Sequence, residues 1–222
     1  MSRYQNERER TLRKVNHQLL EGIELTESGY PVIHREELKP FERFIGFNEV
    51  KTEKVPHGKG VHFFIDDYQF DRIWETPERY LERLSEFSVV LSPDFSLYTD
   101  YPEPVQRWNH YRSQLIGAAC QKIGINVIPT VSWADKKSYS FCFEGIEKGS
   151  IIAVSTVGIA RYENTAHYFT DGLYEAVDRI KPEKILIYGK IPGIIDTVLK
   201  DTGIEVIFIR GGIGERTKHH GW

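Results

Sequence analysis

The chain has 222 residues, of which 40% are hydrophobic and 27% are charged, and its formal net charge is −3. This length suits one large domain or, as the less favoured case, two small ones, and the composition is typical of a soluble globular protein. The small negative charge excludes a global basic excess that would drive binding to a phosphate backbone, although it is compatible with a local basic patch.

Cysteine usage and the N-terminus indicate a cytoplasmic protein. Cys120 and Cys142 belong to no C-x-x-C pair and to no zinc-binding spacing, which favours small buried thiols in a reducing compartment. The first ten residues are charged and lack the apolar stretch of a signal peptide, and no apolar run reaches the length of a membrane span. We therefore expect no membrane partner, while the oligomeric state stays open.

The first sixty residues differ in pattern from the rest of the chain. Apolar positions at helical spacing within residues 3–21 predict an amphipathic helix. Prolines interrupt residues 23–60, in which residues 41–50 have the composition of a short strand. We predict that residues 1–60 form an N-terminal arm and wrap packed on the core, and that residues 61–222 form an α/β core domain with a short C-terminal tail.

From residue 61 onward, apolar strands alternate with helices. The predicted strands cover residues 61–65, 89–91, 125–131, 151–157, 184–188 and 204–209, and the later helices cover residues 136–145, 167–180 and 192–202. Strands that are apolar throughout are buried on both faces, which predicts a mainly parallel sheet of about six βα units. The spacing fits an open doubly wound sheet and an incomplete or closed β/α barrel equally well.

Polar and aromatic residues follow the predicted strands. The residues at these strand ends are Asp66, Asp67, Ser92, Asp94, Ser132, Trp133, Asp135, Ser155, Thr156, Tyr188, Lys190 and Arg210. In a parallel sheet all strands end at one edge, and ligands bind at that edge. These residues should therefore share one rim although they lie far apart in the sequence.

Four carboxylates are the candidate catalytic residues, namely Asp66, Asp67, Asp94 and Asp135. Carboxylates at strand ends can hold Mg²⁺ or exchange protons, and Asp67 and Asp94 are the predicted metal ligands. Because side chains alternate along a strand, one member of the Asp66–Asp67 pair can face the site while the other caps the next loop. Turn and capping hydrogen bonds are the structural alternative for Asp66, Asp67 and Asp94.

The candidate ligand-binding residues supply stacking surfaces, hydroxyl groups and positive charge. Tyr98 and Trp133 can stack on a base or a sugar, or can simply complete the core. Lys190 and Arg210 would contact a phosphate group. The hydroxyl groups come from two further strand-end residues, Ser92 and Thr156.

Several segments together resemble a known family. They are Asp66–Asp67, residues 92–100 (SPDFSLYTD), 128–133 (IPTVSW), 141–145 (FCFEG) and 153–158 (AVSTVG). This combination is similar to an uncharacterised domain-of-unknown-function family of bacteriophages, plasmids and integrative elements of Gram-positive bacteria. The similarity covers about residues 40–210. It implies a mobile-element context and brings no catalytic roles with it.

Three functions agree with these features. The leading hypothesis is a cation-assisted hydrolase or transferase, with Mg²⁺ as cofactor, that acts on the phosphate of a nucleotide or nucleic acid. The second is a non-catalytic mobile-element protein that binds a nucleotide, a nucleic acid or a host protein. The third is a sugar-processing barrel that uses two strand-end carboxylates.

Overall fold

A computed structural model of the chain describes residues 3–157, 166–189, 199–200 and 202–209. These residues form a mixed α/β protein with two parallel sheets. The first sheet contains β1 (Arg43–Gly46), β2 (Lys59–His62), β3 (Val89–Leu91) and β4 (Val127–Ile128). The second contains β5 (Ile152–Ser155), β6 (Lys184–Tyr188) and β7 (Glu205–Ile209). The predicted α/β class with a mainly parallel arrangement is therefore confirmed.

The strands are ordered in space as they are in the sequence. Every neighbouring pair is parallel, and a single parallel bridge between Thr130 and Ala153 connects the end of the first sheet to β5. Within the described residues β1 and β7 do not pair with each other, so these strands do not close a barrel.

Five α-helices accompany the strands in the described part of the chain. They are α1 (Arg3–Lys14), α2 (Arg72–Glu75), α3 (Pro77–Leu84), α4 (Glu103–Lys122) and α5 (Ala166–Ile180). Pro77 starts α3, where a missing N–H costs nothing. Gly124 follows α4 with φ of +87°, a conformation that glycine adopts without strain. None of the helices described is both long and apolar enough to cross a bilayer.

A helix and a strand are among the predicted elements that differ from the structure. The predicted helix at residues 136–145 is wrong, because only a 3-10 turn at Ser138–Ser140 forms there. Its aromatic residues are spaced two apart and are buried as a loop, a spacing that one face of a helix cannot accommodate. The strand predicted at residues 125–131 is shorter in the structure, where β4 covers only Val127–Ile128. The Thr130 N–H donates to the side-chain hydroxyl of Ser92 and not to a backbone carbonyl oxygen, so the regular pairing with β3 ends before Thr130.

One hydrophobic cluster joins the two sheets. Its buried members come from the strands of both sheets, including Leu91 and Ile128 from the first and Ala153 and Leu186 from the second. The rings of His62 and Tyr188 lie 4.4 Å apart between their centroids, so the ends of β2 and β6 are in contact. This packing brings the carboxyl ends of strands from both sheets into one region.

Candidate functional site

A cavity of about 710 Å³ opens at the carboxyl ends of β2, β3, β4 and β5. We call it the strand-end cavity. Its lining consists of residues 64–66, 69, 94, 96–99, 131–134, 155, 157, 168 and 169. Four of the predicted site residues are among them, namely Asp66, Asp94, Tyr98 and Trp133. The volume is that of a site for a small molecule or cofactor.

Asp94 is the most unusual group in the strand-end cavity. Its Oδ1 atom is buried and has no hydrogen-bond partner in the part of the chain that the structure describes. Burial raises the pKa of this carboxyl to about 7, the Ser132 hydrogen bond opposes the rise, and the negative charge of Asp67 adds to it. A carboxyl with this pKa can donate or accept a proton at neutral pH.

Asp67 holds the loop that carries Asp94 and does not line the cavity. Its Oδ1 accepts a hydrogen bond from the Ser96 hydroxyl at 2.7 Å, and its Oδ2 accepts one from the Ser96 N–H at 3.1 Å. On the other side of the loop, the Asn109 amide donates to the Ser96 carbonyl oxygen at 2.7 Å. Asp66 has different surroundings, because it is exposed and lines the strand-end cavity.

The same loop is also fixed from α4 by Arg112. The guanidinium lies 3.7 Å from the centroid of the Phe95 ring, and Phe95 is fully buried. It donates to Asp71 and to Asn109, each at 2.8 Å. Phe95 and Ser96, the two residues that follow Asp94, are therefore anchored before any ligand arrives, as an acid–base group requires.

An aromatic wall faces these carboxylates. The Trp133 indole N–H donates to the Tyr168 carbonyl oxygen at 3.0 Å, and its ring packs on Phe169 of α5 with centroids 5.2 Å apart. Tyr98 stands at the rim and is 53% exposed. These rings offer flat surfaces on which a base or a sugar can stack.

Besides Asp67, three further predicted site residues of the described chain lie outside the lining of the strand-end cavity. The Ser92 hydroxyl accepts from the Thr130 N–H at 2.8 Å, and the Thr156 hydroxyl donates to the Tyr188 carbonyl oxygen at 3.1 Å. Asp135 accepts from the Lys137 N–H at 2.9 Å and so holds a turn. In these contacts the three residues connect neighbouring segments of backbone.

The remaining predictions concern charge and metal. Lys190 and Arg210, the predicted phosphate contacts, lie outside the described residues. No group of three or more His, Cys, Asp or Glu side chains that could hold a metal occurs among the residues described. The assignment of Asp67 and Asp94 as Mg²⁺ ligands stays a prediction.

Sequence reasoning misses part of the lining. Gln69 lies in the 3-10 turn that follows Asp66, and Tyr168 and Phe169 belong to the first turns of α5. The residues of α5 enter the lining through the packing of Trp133 on that helix. The rule that ligands bind at the carboxyl ends of parallel strands does not identify residues at the start of a helix.

These features define an α/β protein with a ligand-sized cavity at the ends of parallel strands. The chain belongs to the family DUF4417, described as a domain of unknown function, whose model matches residues 25–208. This confirms the predicted resemblance to a domain-of-unknown-function family.

Two curated relatives come from mycobacterial phages. The chain is 44% identical over 135 residues to the Gene 1 protein of Mycobacterium phage L5, which is 61% of this chain and 59% of that protein. It is 42% identical over 134 residues to the Gene 1 protein of Mycobacterium phage D29, and this match covers 60% of this chain and 50% of that protein. The chain thus spans between half and three fifths of their length. No solved structure matches.

Proposed function

We propose that the strand-end cavity is the active site of a hydrolase or transferase that acts on a phosphate ester of a nucleotide or nucleic acid. The Asp94 carboxyl carries the proposal, because it lines the cavity with one unpaired oxygen and has a pKa of about 7. Buried carboxyls with displaced pKa values are concentrated at functional sites. In this role Asp94 is the general acid and base of the reaction.

The other residues that line the cavity would contact different parts of the substrate. Trp133 and Tyr98 would stack on the base or the sugar, and Asp66 would contact a polar group at the open side. The described lining contains two carboxyl groups and no lysine or arginine. Mg²⁺ would therefore neutralise phosphate charge when bound, together with the predicted contacts from Lys190 and Arg210.

We also infer that the strands form an incomplete β/α barrel rather than a doubly wound sheet. With right-handed crossovers, a sequential strand order puts all helices on one face of a sheet. The other face must then be covered by the strands themselves, and the hydrophobic cluster drawn from both sheets supports this arrangement. Barrels of this kind bind substrates at the carboxyl ends of their strands, which is where the cavity opens.

A panel of nucleotides and short oligonucleotides with Mg²⁺ tests the proposal. We expect one substrate class to be turned over, and Asp94→Asn to reduce the rate by about 100-fold or more while binding persists. Asp135→Asn is the matched control, because its carboxyl lies outside the lining. Binding without turnover in the unmodified chain would instead support a non-catalytic binding protein.

A sugar-processing enzyme is the second candidate. It is favoured by two carboxyl groups that line the same cavity in different surroundings, since Asp66 is exposed and Asp94 has a buried oxygen. Glycosidases use such a pair, with the buried carboxyl as acid and the exposed one as base or nucleophile. Cleavage of nitrophenyl glycosides without added metal, lost in both Asp66→Asn and Asp94→Asn, would select this candidate.

A further inference from the structure

We infer that the exposed helix α1 and a band of aromatic rings beside it bind a single-stranded nucleic acid and lead it to the strand-end cavity. The inference rests on the proposed function and names its substrate as a polynucleotide strand rather than a free nucleotide. It depends on the charge of α1, on the exposed rings where α1 joins the fold, and on the contacts between those rings and the cavity.

Helix α1 presents a basic face to solvent. It contains five basic and two acidic residues, which gives a net charge of +3, whereas the net charge of the whole chain is −3. Successive residues of an α-helix are about 100° apart, so one face of α1 consists of Asn6, Arg10, Arg13 and Lys14. These four residues are exposed, and within the described residues none of the three cations forms an ion pair. Side chains three and four positions apart are neighbours on a helix, so the three cations can contact successive phosphate groups.

The composition of α1 favours nucleic acid over a membrane surface. Leu12 is the one apolar residue between positions 5 and 14, and it is half-buried on the side of the helix opposite Arg10. A helix that lies on a membrane needs a broad apolar face to insert among the lipids. Contacts with a phosphate backbone need only positive charge, which α1 provides.

Exposed aromatic rings lie beside the point where α1 joins the fold. Asn16, two residues after the end of α1, is buried, and its side-chain amide donates to the Trp74 carbonyl oxygen at 2.7 Å. The Trp74 ring packs edge-on against Trp108 of α4 with centroids 5.2 Å apart, and Trp108 is 37% exposed. Unpaired bases stack on exposed rings of this kind whatever their sequence. Because the bases of a duplex are already stacked on each other, such rings favour a single strand.

Two sets of contacts connect these rings to the strand-end cavity. The Arg112 guanidinium lies 5.9 Å from the centroid of the Trp74 ring and 3.7 Å from that of Phe95, which belongs to the cavity-lining loop. Tyr101 is partly exposed and packs edge-on against Tyr98 at the cavity rim, with centroids 5.0 Å apart. A strand held by α1 therefore meets stacking surfaces between that helix and the cavity.

Fluorescence anisotropy with labelled single strands of DNA and of RNA tests the basic face on the full chain. The triple variant Arg10→Gln, Arg13→Gln and Lys14→Gln should bind either strand about tenfold more weakly or worse at low salt. The slope of log Kd against log salt concentration should fall by about 2, because each phosphate contact of a single strand contributes about 0.7. Glutamine keeps the helix propensity of the residues that it replaces.

A matched control removes the same charge from another part of the surface. Lys54, Lys148 and Lys181 are exposed and precede β2, β5 and β6, so they lie at the amino ends of the strands, away from the cavity. Their triple replacement by glutamine should leave the affinity and the salt slope close to those of the unmodified chain.

The aromatic rings are tested separately through Trp108. Trp108→Ala should weaken binding by about tenfold and leave the salt slope unchanged, because it removes a stacking surface and no charge. Trp108→Phe keeps a ring and should restore most of the affinity, which distinguishes lost stacking from a disturbed fold. Tyr174→Ala, at an exposed position of α5, is the control.

The outcomes separate this inference from the proposed function. Equal affinity and salt slope in the α1 variant and its control, or a duplex bound as tightly as a single strand, overturns the inference. Binding to vesicles of phosphatidylserine and phosphatidylcholine in place of either strand also overturns it. Turnover of free nucleotides that depends on Asp94, without binding of any strand, overturns the inference and leaves the proposed function intact. Strand binding through α1 with turnover that persists in Asp94→Asn overturns the proposed function and supports the contacts of α1.

Discussion

At the scale of single residues, the Asp94 carboxyl links the strand-end cavity to the stability of the fold. Its pKa is raised from 3.8 to about 7, so the folded chain holds a proton that the unfolded chain releases. The resulting stabilisation is fully present below about pH 4 and is lost as the pH rises through 7. The Oδ1 atom of Asp94, which has no hydrogen-bond partner within the described residues, lowers the stability of the fold. Departures of this kind from a fully paired interior are expected at functional sites.

We predict that Asp94→Asn makes the fold less sensitive to a rise in pH from about 4 to 7. An amide cannot ionise, so the variant should gain stability relative to the unmodified chain between about pH 4 and pH 7, at no more than ~1.4 kcal/mol per pH unit. Urea denaturation at several pH values measures the difference, and Asp135→Asn serves as control. Parallel pH curves for the unmodified chain and Asp94→Asn would contradict the assigned burial of this carboxyl.

A second prediction concerns Asp67, which contacts Ser96 through both carboxyl oxygens. Asp67→Asn replaces one acceptor with a donor, which should lower the free energy of unfolding by about 1–2 kcal/mol. It also removes the negative charge that raises the pKa of Asp94, so that pKa should fall. Carbon-13 NMR titration of the Asp94 carboxyl measures the shift. Asp66→Asn should leave the Ser96 contacts unchanged, and equal stability of the two variants would count against the positioning role.

The sequence pattern explains why some residues were correctly placed and others were not. Asp66 and Asp67 have different surroundings, as strand alternation predicts, although both lie beyond the end of β2 at the start of a 3-10 turn. The pattern places Ser92 and Asp94 at the same strand end. It does not show which of the two side chains is hydrogen-bonded to the backbone and which one lines the cavity. That depends on the position of Thr130, whose N–H and hydroxyl both bond to Ser92. Thr130 lies 38 residues from Ser92 in the sequence, so the residues near Ser92 do not indicate this contact.

At the scale of secondary-structure elements, the approach of α5 to Trp133 shapes the aromatic wall. A Cβ atom at Gly172 would lie 2.1 Å from the Trp133 Nε1 atom, so only glycine permits this contact. The helix also supplies the Tyr168 carbonyl oxygen that accepts from the indole. Trp133 is therefore held by a helix that follows the next strand in the sequence.

We predict that Gly172→Ala displaces Trp133 from the wall of the strand-end cavity. The added methyl group should lower the free energy of unfolding by about 1–3 kcal/mol through overpacking, despite the better helix propensity of alanine. Trp133 fluorescence, assigned with a Trp133→Phe variant, should shift to longer wavelength as the indole is exposed to water. Tyr174→Ala, at an exposed position of the same helix, is the control. An unchanged emission maximum in Gly172→Ala would show that the two elements tolerate the extra volume.

Element prediction succeeds where the local pattern is enough and fails where distant contacts decide. The ends of β3 and β6 match the predicted strands at residues 89–91 and 184–188, because continuous apolar runs are bounded by polar residues. The segment at residues 136–145 has enough apolar residues for a helix, yet it folds as a loop. The Arg179 guanidinium of α5 donates to the Tyr139 carbonyl oxygen in this loop, a contact that no local pattern encodes.

At the scale of the whole molecule, two buried histidines connect parts of the fold that are distant in sequence. His110 of α4 is hydrogen-bonded through Nε2 to the Glu144 carbonyl oxygen at 3.0 Å. His62 of β2 accepts from the Phe64 N–H through Nδ1 at 3.2 Å and packs on Tyr188 of β6. Burial lowers the pKa of each histidine to about 4, so both are neutral in the folded chain at neutral pH.

These histidines should make the fold sensitive to acid. The unfolded chain takes up protons on both rings near pH 6.5, whereas the folded chain does so only near pH 4. The stabilisation is therefore fully present above about pH 6.5 and is lost as the pH falls through 4, by at most ~1.4 kcal/mol per pH unit for each ring. Asp94 acts in the opposite direction over part of this range, so each variant must be compared with the unmodified chain.

We predict that His110→Gln removes one of these two contributions, because the glutamine amide can donate to the Glu144 carbonyl oxygen and takes up no proton. The variant should lose less stability than the unmodified chain between pH 6.5 and pH 4, whatever its stability at pH 7. Urea denaturation across this range measures the slope, and His34→Gln is the control because His34 is exposed. A slope in His110→Gln equal to that of the unmodified chain would mean that the pKa of the His110 ring is the same in the folded and unfolded chains. The acid sensitivity would then have to come from another group.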